Sequence, residues 1–240
     1  MHKDLLIELD YQAGMQPSSA ALGAFVAAYA DANVPNLDGS PGINVHVFVD
    51  EQDLPVAAMQ SDLNSRLNDL GAHGPKNISG EHAAKMVHVV FASARPDSPS
   101  RGGEMIASSA ASAEKAGVLV YVEHLQAIFP TCNERASPAV TLEEATISTF
   151  VHEVGHTLQL GHDTDAGGGV NTYNIMATDL GSCGLLKQRT RGVGNTDPDL
   201  GATSGAAPRF SKAAAALMKL DNKISVEANA FENPPGGYDM

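Results

Sequence analysis

Three histidines and one glutamate, close together late in the chain, have the types and spacing best suited to chemistry. His152 and His156 are four residues apart, which puts both imidazoles on one face of an α-helix, about one turn from each other. Two ring nitrogens so placed can bind one tetrahedral ion at roughly 2.0–2.1 Å. Glu153 lies about 100° further round the helix, where it can reach a water on the metal without becoming a ligand. We interpret this segment as an HExxH zinc motif.

A third histidine completes the predicted ligand set. His162 follows six residues after His156, past Gly161, which lets the chain turn away from the helix. Three neutral imidazoles and one water are typical of a catalytic zinc site rather than a structural one. One zinc ion held in this way lowers the pKa of its water toward about 7 and polarises a substrate carbonyl. With Glu153 as the general base that passes the proton to the leaving amine, the sequence predicts hydrolysis of peptide bonds.

The competing interpretation is an HExxH that arose by chance, because a lone histidine on an amphipathic helix is more often a polar surface residue than a ligand. Two features favour the metal site. Thr141 and Glu144 form a predicted capping box at the start of the helix, and apolar residues then recur at spacings of three and four, which predicts a buried stripe. The stripe consists of Ile147, Phe150, Val151, Val154 and Leu158. The second feature is the third histidine, which stands where the composition of the chain changes.

The elements that must position this motif alternate along the first half of the chain. Strands are predicted at residues 5–10, 43–49, 86–91, 104–108 and 118–122, from apolar and alternating segments. An early helix is predicted at residues 18–32, and the last clear element is a helix at 211–220. We therefore expect an α/β (α+β) upper subdomain at 1–160, with the sheet and the active-site helix, and a mostly irregular lower subdomain at 161–240 with the third ligand and the final helix.

Composition narrows the possible partners. The 240 residues carry a net charge of −13, and 43% of them are hydrophobic, so we expect a globular, acidic protein that repels the phosphate backbone of nucleic acids. No apolar run approaches the length of a membrane span. The start of the chain shows no signal-peptide pattern, so we expect either a cytoplasmic protein or a mature form without its leader. We expect a monomer that acts on a protein or peptide substrate.

Weaker signals lie around the histidine motif. Cys132 and Cys183 flank it in loop-like sequence, where either a disulfide or two free thiols would fit. Asp163 and Asp165 precede a glycine in a segment that resembles a calcium loop, although surface solvation explains the same residues, because the bidentate glutamate of an EF-hand is missing. The other six histidines, His88 among them, show no ligand spacing and are expected to be structural or exposed.

The segment from His152 to His162 resembles the elongated zinc motif of the metzincins at every metal-ligand and base position. A candidate for the methionine turn of that family follows at Met176, fourteen residues after His162, and the resemblance implies that this side chain forms an apolar floor beneath the zinc. The sequence around Met176 is most similar to the pappalysin-like branch. The resemblance implies a metzincin-like fold with a five-stranded, mixed and twisted sheet, and a mostly secreted class of protein.

The sequence departs from the metzincin pattern at one position, and the resemblance also implies where the substrate binds. Gln159 stands where the family has the glycine at which the chain leaves the helix. A residue other than glycine costs on the order of 1 kcal/mol at positive φ, unless Gly161 takes over part of the turn. In this family the edge strand above the cleft pairs with an extended substrate, so we expect Glu104, Met105, Ile106 and Ala107 to contact substrate, an ordinary loop being the alternative.

The motif and the resemblance together predict a zinc-dependent endopeptidase with Glu153 as general base. Two alternatives remain open at this stage. The same site in a narrower cleft would act on another amide or a small peptide, and a protein that kept the metal site without turnover would be a binding module. The intact Glu153 argues against the binding module, because a site without turnover needs no base.

Overall fold

The computed structural model describes the sheet, the helices next to it and the zinc motif as far as Leu160. The described residues are 2–32, 34–55, 66, 69–70, 72–74, 86–94, 102–106, 117–133, 141–160, 175, 218 and 224–225, with only the backbone described for 128–133 and 224–225. Most of the predicted lower subdomain at 161–240 therefore lies outside them. The predicted final helix does too, apart from Met218, which is buried in the main core.

A mixed sheet forms the centre of the described structure, as the sequence predicts. Its strands are β1 (Asp4–Tyr11), β2 (Asn44–Val49), β3 (Val87–Ala92), β4 (Gly103–Ile106) and β5 (Gly117–Tyr121). Their order is β2-β1-β3-β5-β4. The first four strands in this order run parallel, and β4 pairs antiparallel with β5 at one edge. All five predicted strands are confirmed, with ends that move by one or two residues. A two-residue strand that the sequence did not predict, β6 (Ile224–Ser225), pairs with the start of β1.

The early helix, α1 (Ser19–Ala30), packs on one face of this sheet. Its N-cap is Ser18, whose hydroxyl accepts a hydrogen bond from the backbone N–H of Ala21. The predicted apolar positions Phe25 and Tyr29 are fully buried. The helix ends at Ala30, two residues earlier than expected, and Asp31 caps its C-terminus.

A second helix was not predicted. The chain passes from β5 into α2 (Val122–Asn133) without a loop, so Val122, expected as the last residue of a strand, is the first residue of this helix. The apolar run from 118 to 122 contains no glycine or polar residue to mark the change. Pro130 further lowers the helical signal.

Among the described residues, no helix is long and apolar enough to span a membrane.

The motif helix, α3 (Leu142–Thr157), begins as predicted. Thr141 and Glu144 form the complete capping box: the Thr141 hydroxyl accepts from the backbone N–H of Glu144, and the Glu144 carboxylate accepts from the backbone N–H of Thr141. All five residues of the predicted apolar stripe are buried. Phe150 stacks on Phe25 of α1 with ring centroids 3.8 Å apart, so α1 and α3 share one core.

The two faces of the sheet differ in chemistry. The odd-numbered residues of β1, Leu5 to Tyr11, join the core shared with α1 and α3. Side chains alternate along a strand, so Leu6, Glu8 and Asp10 project from the other face. That face has smaller apolar clusters, one with Leu6 and another with Val90 and Tyr121, and buried polar groups between them. The zinc motif and these polar groups therefore lie on opposite faces.

Candidate metal centre

Helix α3 brings His152 and His156 together as the four-residue spacing predicts. Their ring centroids are 4.6 Å apart, with the ring planes at 88°, and the two Nε2 atoms are 3.1 Å apart. His152 is buried, whereas His156 is half-buried at the end of the helix. The two atoms that would bind a metal therefore face each other.

The opposite nitrogen of each ring is fixed by the backbone. The Nδ1 of His152 is 2.7 Å from the carbonyl oxygen of Ile175, and that of His156 is 2.8 Å from the carbonyl oxygen of Leu160. Because a carbonyl only accepts hydrogen bonds, each Nδ1 carries the proton, and each Nε2 of the neutral rings presents a lone pair. Metal-binding histidines in proteins are oriented in this way.

The distance between the two Nε2 atoms shows whether both imidazoles can bind the same zinc ion. Two acceptor nitrogens 3.1 Å apart repel each other unless a proton or a metal cation lies between them. Ligands at 2.0–2.1 Å on a tetrahedral ion are about 3.3 Å from each other, close to the distance observed. The imidazoles of His152 and His156 therefore fit one zinc ion.

The end of α3 depends on a strained residue. Gln159 has φ of 64°, so the chain takes the left-handed conformation at the position where the sequence departs from the metzincin glycine. The backbone N–H of Gln159 bonds to the carbonyl of His156, and that of Leu160 bonds to the carbonyl of Gly155. This pattern is a Schellman motif. It turns the Leu160 carbonyl back toward the ring of His156, so the strained turn helps to orient a predicted metal ligand.

Glu153 lies between α3 and the edge strand. It is 8% exposed, and its side chain packs against the backbone of Gly103 at the start of β4. A Cβ atom on Gly103 would lie 2.8 Å from Cγ of Glu153 and 2.7 Å from a methyl carbon of Thr149. The close approach of β4 to α3 therefore requires a glycine here, and Gly103 sets one side of the space that holds the Glu153 carboxylate.

Three of the four predicted substrate contacts, Glu104, Met105 and Ile106, lie on β4 and have different environments. Glu104 is buried, and its carboxylate accepts from the Tyr121 hydroxyl at 2.5 Å and pairs with Nε of Arg66 at 2.9 Å. Met105 packs against the core on the side of α3, and Ile106 is buried on the other side. Within the described part of the chain, β4 pairs only with β5, which leaves its outer edge for an additional strand.

Several predicted site residues lie outside the described structure: His162, Met176, Ala107, Cys183, Asp163 and Asp165. The backbone of Cys132 belongs to α2, and its side chain is not described. The predicted third zinc ligand, methionine turn, disulfide and calcium site thus stay predictions. Ile175, the residue before Met176, is buried in the core and binds His152 through its carbonyl.

Sequence reasoning missed three contributors to this centre. The carbonyl groups of Leu160 and Ile175 orient the histidines, and Gly103 makes room beside Glu153. Backbone carbonyls leave no mark in the sequence, so no signal could have identified them. Gly103 could have been found, because a glycine at the start of a strand often indicates a close approach of two backbones.

Comparison with solved structures identifies the class of fold. The chain is similar to metalloproteinase-II from Bacteroides fragilis, with a TM-score of 0.50 and 13% identity over 91% of this chain, and it spans 53% of that protein's length. A zinc-dependent peptidase from Methanocorpusculum labreanum also matches, with a TM-score of 0.47 and 16% identity over 76% of this chain and 92% of the other. No protein-family model and no curated protein sequence matches this chain. The mixed α/β fold is therefore of the kind found in the Bacteroides fragilis metalloproteinase.

Proposed function

We propose that this chain is a zinc-dependent endopeptidase of the metzincin type, with His152, His156 and His162 as metal ligands and Glu153 as general base. The observation that carries the proposal is the pair of Nε2 lone pairs 3.1 Å apart, with both Nδ1 atoms committed to backbone carbonyls. Such a pair is costly without a cation and suited to binding one. Assignment to the pappalysin-like branch, secretion and a monomeric state stay predictions from the sequence.

Zinc and Glu153 would have different roles in hydrolysis of the peptide bond. When bound, zinc supplies a Lewis acid that polarises the scissile carbonyl and acidifies a water molecule. Glu153 would accept a proton from the attacking water and return it to the leaving nitrogen. Its position on α3, one residue after His152, keeps the carboxylate beside the metal ligands without adding it to them. Burial against Gly103 restricts the orientations that the Glu153 side chain can take.

The edge of β4 offers a way to hold the substrate. This strand is antiparallel to β5 and lies at the edge of the described sheet. An extended peptide can add to such an edge through main-chain hydrogen bonds. Because Gly103 of β4 contacts Glu153, a peptide bound there would run past the catalytic carboxylate. Recognition through the main chain favours an endopeptidase, since it requires neither a free amino terminus nor a free carboxyl terminus.

The experiment compares metal content and cleavage of unfolded casein. The wild type should bind zinc and cleave casein, and chelation should abolish cleavage until zinc is restored. Glu153→Gln should keep the zinc of the histidine motif and lose activity by about 10²-fold or more, whereas His162→Ala should lose both that ion and the activity. Glu123→Gln, at an exposed position on α2, is the matched control and should behave as the wild type.

Other outcomes decide between the alternatives. Cleavage that survives both chelation and Glu153→Gln would refute the mechanism. Hydrolysis of small peptides but not of casein would indicate the narrower amide hydrolase. Zinc that is bound without any turnover, and is lost from the His152→Ala/His156→Ala variant, would indicate a binding module.

A further inference from the structure

A second cluster of metal-binding side chains lies on the sheet face that α3 does not cover. Glu8 and Asp10 are two residues apart on β1, so they project from the same face. His88 of β3 is the cross-strand partner of Glu8. All three residues are buried: Glu8 and Asp10 are 0% exposed and His88 is 7% exposed.

The three side chains converge on one point. The Nε2 of His88 is 3.0 Å from Oδ2 of Asp10 and 3.3 Å from Oε2 of Glu8. One ligand atom from each of the three residues lies within 4.8 Å of the other two. Neighbouring ligands on an ion with bonds of roughly 2.0–2.2 Å are separated by about the same distances as His88 from the two carboxylates.

Glu8 is held less firmly than the other two members of the cluster. Its side chain is 1% exposed, and neither of its carboxylate oxygens has a hydrogen-bond partner among the described residues. Its close contacts are the Nε2 of His88 at 3.3 Å and the carboxylate of Asp10. Two buried carboxylates beside one imidazole are costly unless positive charge balances them, and natural proteins pair such groups or bind them to metals. Asp10, in contrast, has one oxygen held by the backbone: its Oδ1 accepts a hydrogen bond from the N–H of Glu51 at 2.7 Å. Its Oδ2 faces His88.

The electrostatics agree with this geometry. Burial raises the pKa of Glu8 to about 10, with further contributions from the negative charge of Asp10, a hydrogen bond with Asp10 and the negative charges of Asp50 and Glu51. Two adjacent buried carboxylates therefore cannot both be ionised near neutral pH without a compensating positive charge. A divalent cation would balance the charge of both of them.

We propose that Glu8, Asp10 and His88 form a second divalent-cation site that is separate from the zinc motif. One imidazole and two carboxylates suit zinc or manganese better than calcium, which takes oxygen ligands almost exclusively. Because its ligands come from β1 and β3, the ion would link the two central strands of the sheet. This site is structural and does not depend on whether the zinc motif is catalytic.

The test counts ions per chain in variants of the full-length protein, loaded with zinc or manganese and then dialysed against metal-free buffer. The wild type should keep two ions. Glu8→Gln should keep one, and so should the double variant His152→Ala/His156→Ala, while the combination of all three substitutions should keep none. Asp4→Asn is the matched control: Asp4 is a buried β1 carboxylate that pairs with His46 at 3.0 Å, and this variant should keep both ions.

A second measurement tests the site even if the Glu8→Gln variant does not fold. In the His152→Ala/His156→Ala variant the cluster is untouched, so the X-ray absorption spectrum of the retained ion should show one imidazole among oxygen ligands. The proposal is overturned if this variant retains no ion, if its ion has several imidazole or any sulfur ligands, or if folded Glu8→Gln keeps two ions. A protonated Glu8 that shares its proton with Asp10 would produce the first of these results.

Discussion

Gly103 and Glu153 are in direct contact, although they are 50 residues apart in the sequence and belong to the edge strand and the motif helix. The missing side chain of Gly103 leaves the space in which the Glu153 side chain lies. This contact therefore places the edge of the sheet next to the proposed general base. A peptide added to that edge would lie close to Glu153.

Replacement of Gly103 by alanine should reduce catalysis and leave metal binding intact. The added methyl group would stand 2.8 Å from Cγ and 3.1 Å from Oε1 of Glu153, so the carboxylate must move. Small displacements of a catalytic group cost on the order of 10–10² in rate, and we expect a fall in kcat of that size. Gly23→Ala is the control, since a Cβ at Gly23 on α1 meets no atom within 4 Å. Wild-type kcat in Gly103→Ala would show that β4 does not position Glu153.

Replacement of Gln159 by glycine should stabilise the protein. Gln159 holds φ of 64°, which costs on the order of 1 kcal/mol for a residue with a side chain and almost nothing for glycine. We expect the free energy of unfolding in urea to rise by about 1 kcal/mol, with kcat/KM unchanged because the Leu160 carbonyl keeps its place. Gln159→Ala is the control, since it removes the side chain but keeps the strain. A glycine variant less stable than the alanine variant would contradict this account.

The sequence was informative where local rules decide the structure. The capping box at Thr141, the buried stripe of α3 and the facing imidazoles of His152 and His156 all follow from helical spacing. The left-handed turn also follows from the motif, and the structure places it at Gln159 itself. The five strands were predicted because each is a short apolar or alternating run with clear boundaries.

Tertiary contacts account for what the sequence did not predict. Helix α2 was missed because no breaker separates it from β5. His88 was expected to be structural or exposed, since it has no ligand spacing to another metal-binding residue in the sequence. Only the register of β1 and β3 brings it to Glu8 and Asp10. A sheet can assemble ligands from distant strands, and no spacing within a single segment reveals such a site.

Replacement of Glu104 by glutamine should destabilise the protein far more than it affects substrate affinity. The carboxylate lies on the sheet face away from α3 and pairs with Arg66, whose side chain is 1% exposed. Glutamine would leave that guanidinium without this buried counter-charge, and breaking a buried pair in this way costs about 3–5 kcal/mol. We expect a loss of this order in the free energy of unfolding measured in urea.

The same variant decides what Glu104 does on the edge strand. The resemblance to metzincins implies that Glu104 contacts substrate, whereas the Tyr121 hydroxyl at 2.5 Å and the ion pair with Arg66 give it an internal role. An internal carboxylate predicts reduced stability with nearly unchanged KM at a temperature where the variant is folded. Glu123→Gln on α2, at an exposed position, should change neither quantity. A KM that rises tenfold while stability stays at the wild-type level would instead show that Glu104 reaches the substrate, and that β4 binds through its side chains as well as its backbone.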